Sequence, residues 1–310
     1  MGEKIKISIV IPVFNSETTI GKLVESLIKE LSNRFNLEII LVNDSSKDNS
    51  ELVCIDLYNK NKNTVKFYSL AKNVGEHNAV MAGLNKVNSD YVVIMDDDFQ
   101  NPVDEVTKLV DYALENNYDV IYTYYDKKEH NFFRNLGSKI NDKAANYMLR
   151  KPKDLYLSSF KVINSFLVKE IIKYDLPYPY LDGLILRATN NIGTLKVQHE
   201  ERKTGKSGYS IRKLISLWLN MFTNFSILPL RFAVILGFAF SIIGLILGIK
   251  TLLEKLDDPT LPIGFASIAV SIFVFAGIQL LAIGMIGEYI GRIFISQNKK
   301  PQFTIRKKFE

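Results

Sequence analysis

The sequence predicts an α/β chain: a mostly parallel sheet with helices on both faces, followed by interfacial helices and a two-helix transmembrane hairpin. Three observations carry this prediction. Short apolar runs alternate with segments of helical periodicity over the first hundred positions, the pattern of strands joined by crossover helices. The runs beginning at Ile7, Leu37 and Tyr91 each end in polar or acidic residues, and open α/β sheets bind ligands at that edge. The apolar surplus of the 310 residues is concentrated in the last third, in two uncharged runs. Each is long enough to cross ~30 Å of hydrocarbon as a helix.

Taken in order, Ile7 to Val13 is the first strand, closed by Pro12 and Asn15. Lys4 and Lys6 precede it, but Pro12 and the polar residues after it mark a strand and not a signal peptide. Ile20, Leu23, Val24, Leu27, Ile28 and Leu31 recur at helical spacing. Leu37 to Val42 is a second strand and ends in Asn43, Asp44, Ser45 and Ser46. A helix through Leu52 to Tyr58, a strand at Val65 to Leu70, a loop at Lys72 to Gly75 and a helix through Val80, Leu84 and Val87 follow. The next strand opens at Tyr91.

That strand leads into YVVIMDDDFQNP, Tyr91 to Pro102. Strand alternation would send Asp96 and Asp98 to one side and Asp97 to the other. Carboxylates converging this closely repel one another unless a cation lies between them. Hard oxygen donors suit Mg2+ or Mn2+ carrying a phosphorylated substrate, and Gln100 adds a neutral oxygen. The bland alternative is a solvated acidic turn ahead of a helix, with aspartates favoured by the helix dipole. There is no GxGxxG after the first strand and no GxxxxGK[ST] anywhere, which weakens dehydrogenase and NTPase readings.

The formal charge is +6, with much of the excess at Arg202 to Lys213 and Lys299 to Lys308, flanking the apolar region. That placement fits an anionic membrane surface or phosphate better than nucleic acid. The single cysteine, Cys54, excludes an internal disulfide and is consistent with a reducing compartment. His77, His130 and His199 lack zinc-ligand spacing.

Leu214 to Leu230 has the aromatic, amphipathic character of a helix lying in the membrane interface. Phe232 to Ile249 and Leu261 to Gly287 are the two spans, joined by a short acidic turn. Arg212, Lys213 and Arg231 precede them, and Arg292, Lys299, Lys300, Arg306, Lys307 and Lys308 follow. The excess of positive charge on both flanks puts the catalytic domain in the cytoplasm. Glycines at 237, 244, 248, 277, 284 and 287 would permit close helix packing, including between subunits. The predicted organisation is a catalytic domain at 1–210, an amphipathic juxtamembrane helix at 211–230, two transmembrane helices at 231–287 and a basic cytoplasmic tail at 288–310.

IPVFN at Ile11 to Asn15, VNDSSKD at Val42 to Asp48, the Lys72 to Gly75 loop and MDDDFQNP at Met95 to Pro102 resemble the GT-A, Rossmann-like fold of family 2 glycosyltransferases. HEERKTGKSGYSIRKL at His199 to Leu214 and the two apolar spans resemble that family's polyprenyl-phosphate branch. The branch includes dolichyl-phosphate mannose synthases and bacterial undecaprenyl-phosphate sugar transferases of the aminoarabinose type. The resemblance covers nearly the whole chain. It implies that Pro12, Phe14 and Asp44 hold the nucleotide, and that Asp96, Asp98 and Gln100 bind the metal and the diphosphate, with Asp97 between them in the donor site. Arg134 and Asn135 match the stretch that contributes an arginine near the donor diphosphate. Two departures stand out: many relatives carry Glu directly after the first-motif Asn, where this chain has Ser16 and then Glu17, and several have an Asp in the segment matching Ser158 to Lys161.

Asp182, in the turn Tyr178 to Gly183, is a general-base candidate; it equally suits orienting the sugar or capping a helix beginning at Leu184. A phosphate acceptor has a second pKa near ~6 and attacks as the dianion without a base. Arg202, Lys203, Lys206 and Arg212 alternate with Gly205, Ser207 and Gly208. This loop can close over phosphates, with Arg202 and Lys206 neutralising the leaving nucleoside diphosphate, or meet anionic headgroups.

The expected activity is that of a membrane-bound, inverting, metal-dependent transferase moving one sugar from a UDP-sugar to polyprenyl phosphate. Its expected place is the inner membrane, as a multi-pass protein in a homo-oligomer, such as a tetramer. A processive polysaccharide synthase is the rival in the same chemistry, but it would carry QxxRW and more spans, and the only tryptophan is Trp218, within SLWLN. A non-catalytic nucleotide-sugar or lipid sensor is the rival of another class; it has no need of the three aspartates.

Overall fold

The structure, a computed structural model, describes residues 4–125, 151–152, 155–198, 228–257, 264–298 and 301–310. It forms two compact units, one of residues 1–208 with 300–310 and one of residues 209–299.

The first unit is built on an eight-stranded sheet in the order β7-β5-β6-β4-β1-β2-β3-β8. Strands β1 (Lys6–Val13), β2 (Asn36–Asn43), β3 (Val65–Leu70) and β4 (Tyr91–Ile94) are mutually parallel and alternate with helices α1 (Ile20–Leu31), α2 (Ser50–Lys60) and α3 (Glu76–Leu84). These strands are largely apolar because helices cover both faces, and the buried Ser8 of β1 and Glu38 of β2 satisfy each other at 2.5 Å. Ile7, Ile9, Ile11 and Val13 of β1 join a core with α1, α2 and α4 (Val103–Asn116). Val10 and Val42 meet α3 on the other face, where a Cβ on Gly83 would lie 2.4 Å from the Val10 side chain. Only glycine lets this helix approach so closely.

Beyond β4 the sheet is mixed. Strand β5 (Val120–Tyr124) pairs antiparallel to β6 (Lys161–Asn164) and parallel to β7 (Ile192–Lys196), and β6 lies antiparallel to β4. Helices α5 (Ser165–Ile171) and α6 (Leu181–Ala188) complete this half; the Asn164 side chain caps α5 by accepting from the Leu167 amide.

Three expectations need correcting. Helix α3 stops at Leu84 instead of running through Val87, because the Lys86 amide turns back to the Gly83 carbonyl at 2.8 Å. Helix α6 starts at Leu181, so Asp182 lies in its first turn and does not cap a helix at Leu184. Residues 288–310 are not one basic tail: a helix continues to Gln297, and β8 (Ile305–Phe309) pairs antiparallel with β3.

The second unit contains α7 (Leu228–Asp257) and α8 (Phe265–Gln297), about 45 and 50 Å long at ~1.5 Å per residue. Gly244 of α7 faces the Phe275 ring of α8. Among the described residues one window, Val274–Gly291 of α8, is long and apolar enough to cross a membrane, and none of it is buried; the apolar stretch of α7, Ala233–Gly244, is shorter. The expected interfacial helix at Leu214 to Leu230 falls almost entirely outside the described residues.

Candidate active site

Each of the four parallel strands β1 to β4 is followed by a residue in the left-handed backbone region: Asn15 (φ 56°), Ser45 (φ 56°), Gly75 (φ 90°) and Phe99 (φ 63°). Such a conformation strains a phenylalanine in particular, and strain of this kind persists where surrounding bonds over-determine it. Those bonds tie neighbouring loops together.

The Asp97 carboxylate accepts from the Phe14 amide at 3.0 Å and from the Ser16 hydroxyl, joining the loop after β4 to the loop after β1. The Asn15 amide donates to Ser46 Oγ at 3.0 Å, and Asn15 Oδ1 accepts from the Lys47 amide at 2.8 Å, joining β1 to β2. Asp44, almost fully buried, accepts from the amides of Val74 at 2.7 Å and Gly75 at 2.8 Å, joining β2 to β3. Burial pushes the Asp44 carboxyl up, and the two amides offset part of that. The loops that follow β1, β2, β3 and β4 are therefore tied into one wall at this edge of the sheet. Phe14 stands at its rim with 43% of its surface exposed, and Pro12 lies where β1 outruns β4, whose last paired residue is Ile94 opposite Val10. A missing N–H is tolerated there.

The acidic residues lie in the loop just past β4 and divide their tasks. Asp97 is engaged by the first loop. Asp96 accepts from Ser159 Oγ at 2.5 Å, and Asp98 Oδ1 accepts from the Gln100 amide at 3.1 Å. Burial, then the carboxylates of Glu76 and Asp98, push Asp96 up to about 7, while the Ser159 bond and the Lys161 charge pull it down. Burial likewise raises Asp97 to about 6 against its bonds to Ser16 and Phe14. Crowded carboxylates of this kind fit a divalent cation, which would stabilise their ionised forms. Among the described residues no three His, Cys, Asp or Glu side chains converge on one metal position. One or two carboxylates, completed by substrate phosphate oxygens and water, are the usual Mg2+ arrangement.

Behind this loop is a polar cluster of which the sequence singled out only Asp182. Asp182 Oδ1 accepts from the Tyr122 hydroxyl at 2.9 Å and is bonded to the Lys161 ammonium, with both Lys161 and Asp182 buried. The Lys161 ammonium also lies 4.7 Å from the Tyr122 ring centroid. His77 packs edge-on to Tyr180 at 5.3 Å, and burial lowers its pKa, which keeps the ring neutral. Lys161 lies opposite Ile94 in register, so the i, i+2 pair Ser159 and Lys161 flanks the start of the acidic loop. The available signal was a lysine inside the otherwise apolar run FKVI; a buried lysine calls for a carboxylate partner. Arg134, Arg202 and Lys206 lie outside the described residues.

Comparison with known proteins agrees with this geometry. The model of Glycosyl transferase family 2 matches residues 8–172. The chain is 32% identical to the undecaprenyl-phosphate 4-deoxy-4-formamido-L-arabinose transferase of Photorhabdus laumondii, over 97% of this chain and 94% of that one. It is 33% identical to the Proteus mirabilis transferase of the same name, over 98% and 94%. Among solved structures, glucosyl-3-phosphoglycerate synthase from Mycobacterium tuberculosis, in complex with Mn2+, UDP and glucosyl-3-phosphoglycerate, superposes with a TM-score of 0.52. That likeness, at 17% identity over 69% of this chain and 76% of the other, is one of fold. With its GT-A sheet and a family match running through the loops after β1 to β4, the chain belongs to glycosyl transferase family 2 and is a glycosyltransferase.

Proposed function

We propose that this glycosyltransferase moves a single sugar from a nucleotide-sugar, a UDP-sugar, to undecaprenyl phosphate at the cytoplasmic face of the inner membrane, with inversion at the anomeric carbon. The observation that carries the reading is the extent of the similarity. It covers 97% or more of the chain in the Photorhabdus and Proteus transferases, and so runs through the apolar helices and basic segments as well as the sheet.

In this reading Phe14 and Pro12 line the nucleoside pocket, and Asp44 shapes it by fixing the loop at Val74 and Gly75. Asp96, Asp98 and Gln100 would hold Mg2+ or Mn2+ against the donor diphosphate, where the ion would neutralise charge on the leaving group. Asp97 keeps the acidic loop against β1. Arg134, Arg202 and Lys206 are assigned to the phosphates of donor and acceptor. A phosphate oxygen of the lipid forms a bond to the anomeric carbon as the bond from that carbon to the diphosphate oxygen breaks, and the nucleoside diphosphate leaves with the electron pair. The lipid phosphate, with a second pKa near ~6, needs no protein base, and Asp182, already paired with Lys161, positions and does not accept a proton. Helices α7 and α8 form the membrane hairpin. Gly237, Gly277, Gly284 and Gly287 have no described atom within 4 Å of an added Cβ, room for the helices of a homo-oligomer, for which a tetramer is the expected state.

The test is turnover by detergent-purified protein with undecaprenyl phosphate, Mg2+ or Mn2+ and a panel of UDP- and GDP-sugars, with lipid products read by mass spectrometry. The expected product is a lipid phosphate carrying one sugar, lost on adding EDTA. Nucleotide-sugar hydrolysis without that lipid, or product formation unaffected by EDTA, overturns the acceptor or the metal assignment respectively.

A further inference from the structure

Segment 302–310 does more than close the sheet edge. Because β8 runs antiparallel to β3, its first residues lie at the ligand edge: Ile305 is opposite Leu70, and the Thr304 carbonyl accepts from the Ala71 amide at 2.8 Å. Its far end is fastened. The Phe309 ring lies 5.5 Å from Tyr58 and 5.7 Å from Phe67, and the hydroxyls of Tyr58 and Tyr68 each donate to Glu310 at 3.0 Å.

From this anchored segment two side chains reach different loops at this edge. Gln302, 9% exposed, donates from Nε2 to the carbonyls of Tyr174 at 2.7 Å and Leu176 at 2.8 Å. Those carbonyls open a turn in which Tyr178, between Pro177 and Pro179, has φ 63°. A bulky aromatic in that region holds only where neighbours fix it. The turn leads straight to Tyr180, against His77, and to Asp182, against Lys161. Lys307 takes the other wall, donating to Glu51 Oε1 at 2.7 Å. Glu51 Oε2 accepts from Ser69 Oγ at 2.9 Å and Asn43 Nδ2 at 3.2 Å, and Asn43 Oδ1 accepts from the Ser46 amide at 3.1 Å. Ser46 is the residue that ties β2's loop to Asn15. A strand that merely capped an edge would need its ladder and charged side chains, and not a buried amide bridging two carbonyls of a distant turn.

We propose that segment 302–310 braces the active site, with Gln302 a positioning residue for the turn from Tyr174 to Asp182 and Lys307, through Glu51, one for the loop from Asn43 to Lys47. The inference needs a ligand site at this sheet edge and not the identity of donor or acceptor.

Its test is hydrogen exchange on the full-length protein in detergent, read peptide by peptide for wild type, Gln302→Leu, Lys307→Met and Lys307→Arg. Loss of Gln302's two bonds should speed exchange at 174–184 by about tenfold and leave 43–50 unchanged. Lys307→Met should instead speed exchange at 43–50, by about twofold for a half-exposed ion pair, and leave 174–184 unchanged, and Lys307→Arg, which keeps the ion pair, should match wild type. In the transfer assay both disruptive variants should raise the donor KM severalfold with kcat altered less than about twofold, since a loop must then be ordered on binding. Unchanged exchange at both loops, or a fall in kcat at constant donor KM, overturns the brace. If wild type transfers no sugar, the proposed function fails while the exchange comparison still decides this inference.

Discussion

The two halves of the sheet hold the site by different means. In the half formed by β1 to β4, carboxylates and hydroxyls of one loop accept backbone amides of the next: Asp97 with Phe14, Asp44 with Val74 and Gly75, Ser46 with Asn15. In the half formed by β5 to β7, the contacts nearest the acidic loop are between side chains, Lys161 with Asp182 and Tyr122 with Asp182. The first arrangement fixes where the backbone runs and so builds a wall. The second fixes where charge lies, directly behind Asp96. Catalysis by positioning and charge stabilisation needs both, a rigid wall and an oriented field.

The sharpest test of this division is in the acidic loop, where Asp97 accepts from the Phe14 amide of the neighbouring loop and Asp98 Oδ1 accepts from the Gln100 amide of its own. Asp98→Ala should reduce turnover by about a thousandfold or more, ~4 kcal/mol of transition-state stabilisation, while the unfolding midpoint in detergent stays within a few degrees of wild type. Substantial retained activity would remove Asp98 from the proposed metal site.

The charged half is broken by Lys161→Met. Asp182 would then be a buried carboxylate without its cation, a change of about 3 kcal/mol or more in stability. Lys161→Met combined with Asp182→Leu should recover most of that, because removing both partners leaves no orphaned charge. A chemical unfolding series on the two variants reads the difference. If the double variant is no more stable than the single, the pair is not what Asp182 depends on.

The wall is tested by Asp97→Asn, which keeps the shape and weakens the acceptor shared by Phe14 and Ser16. The expected result is a rise of about tenfold in donor KM with a smaller change in kcat, measured by initial rates against nucleotide-sugar concentration. A loss confined to kcat would put Asp97 with the reacting atoms instead.

Much of the first half was legible in the sequence, and most of the second was not. The strands at Ile7, Leu37 and Val65 are apolar runs bounded by turn residues, and the helix at Ile20 to Leu31 shows its buried stripe at Ile20, Leu23, Val24, Leu27 and Leu31. Parallel strands buried on both faces announce themselves this way. Strands β6 and β7 are four and five residues long, and β7 carries exposed positions, too short for periodicity to speak. The β8 run IRKKF reads as a basic tail because only its two ends are partly buried; its place depends on a pairing across the chain that no local pattern records. At the site, the composition DDD showed that carboxylates converge, but not that Asp97 and Asp44 are engaged by backbone amides. Alternation would have placed Asp96 and Asp98 on one strand face, whereas β4 ends at Ile94 and the three aspartates lie in the loop beyond it.

The smallest expected effect concerns pH and the strand that was least legible. The Lys307 ammonium bonded to Glu51 holds its carboxyl below the usual range. Folding therefore keeps Glu51 ionised where the unfolded chain has begun to take up a proton. The pair's contribution is complete above the unfolded value near ~4.3 and fades as pH falls through the lower folded value. Since Lys307 is half exposed, solvent screening limits that contribution to about 0.5 kcal/mol. Comparing wild type with Lys307→Met from neutral pH downward, the stability gap should be constant above about pH 5 and close in more acid solution. The full set of protonating carboxylates lowers both curves together, so the gap, and not either midpoint, carries the signal. Parallel curves throughout would show that Lys307 holds β8 by packing of its methylenes, and that the strand's attachment owes nothing to charge.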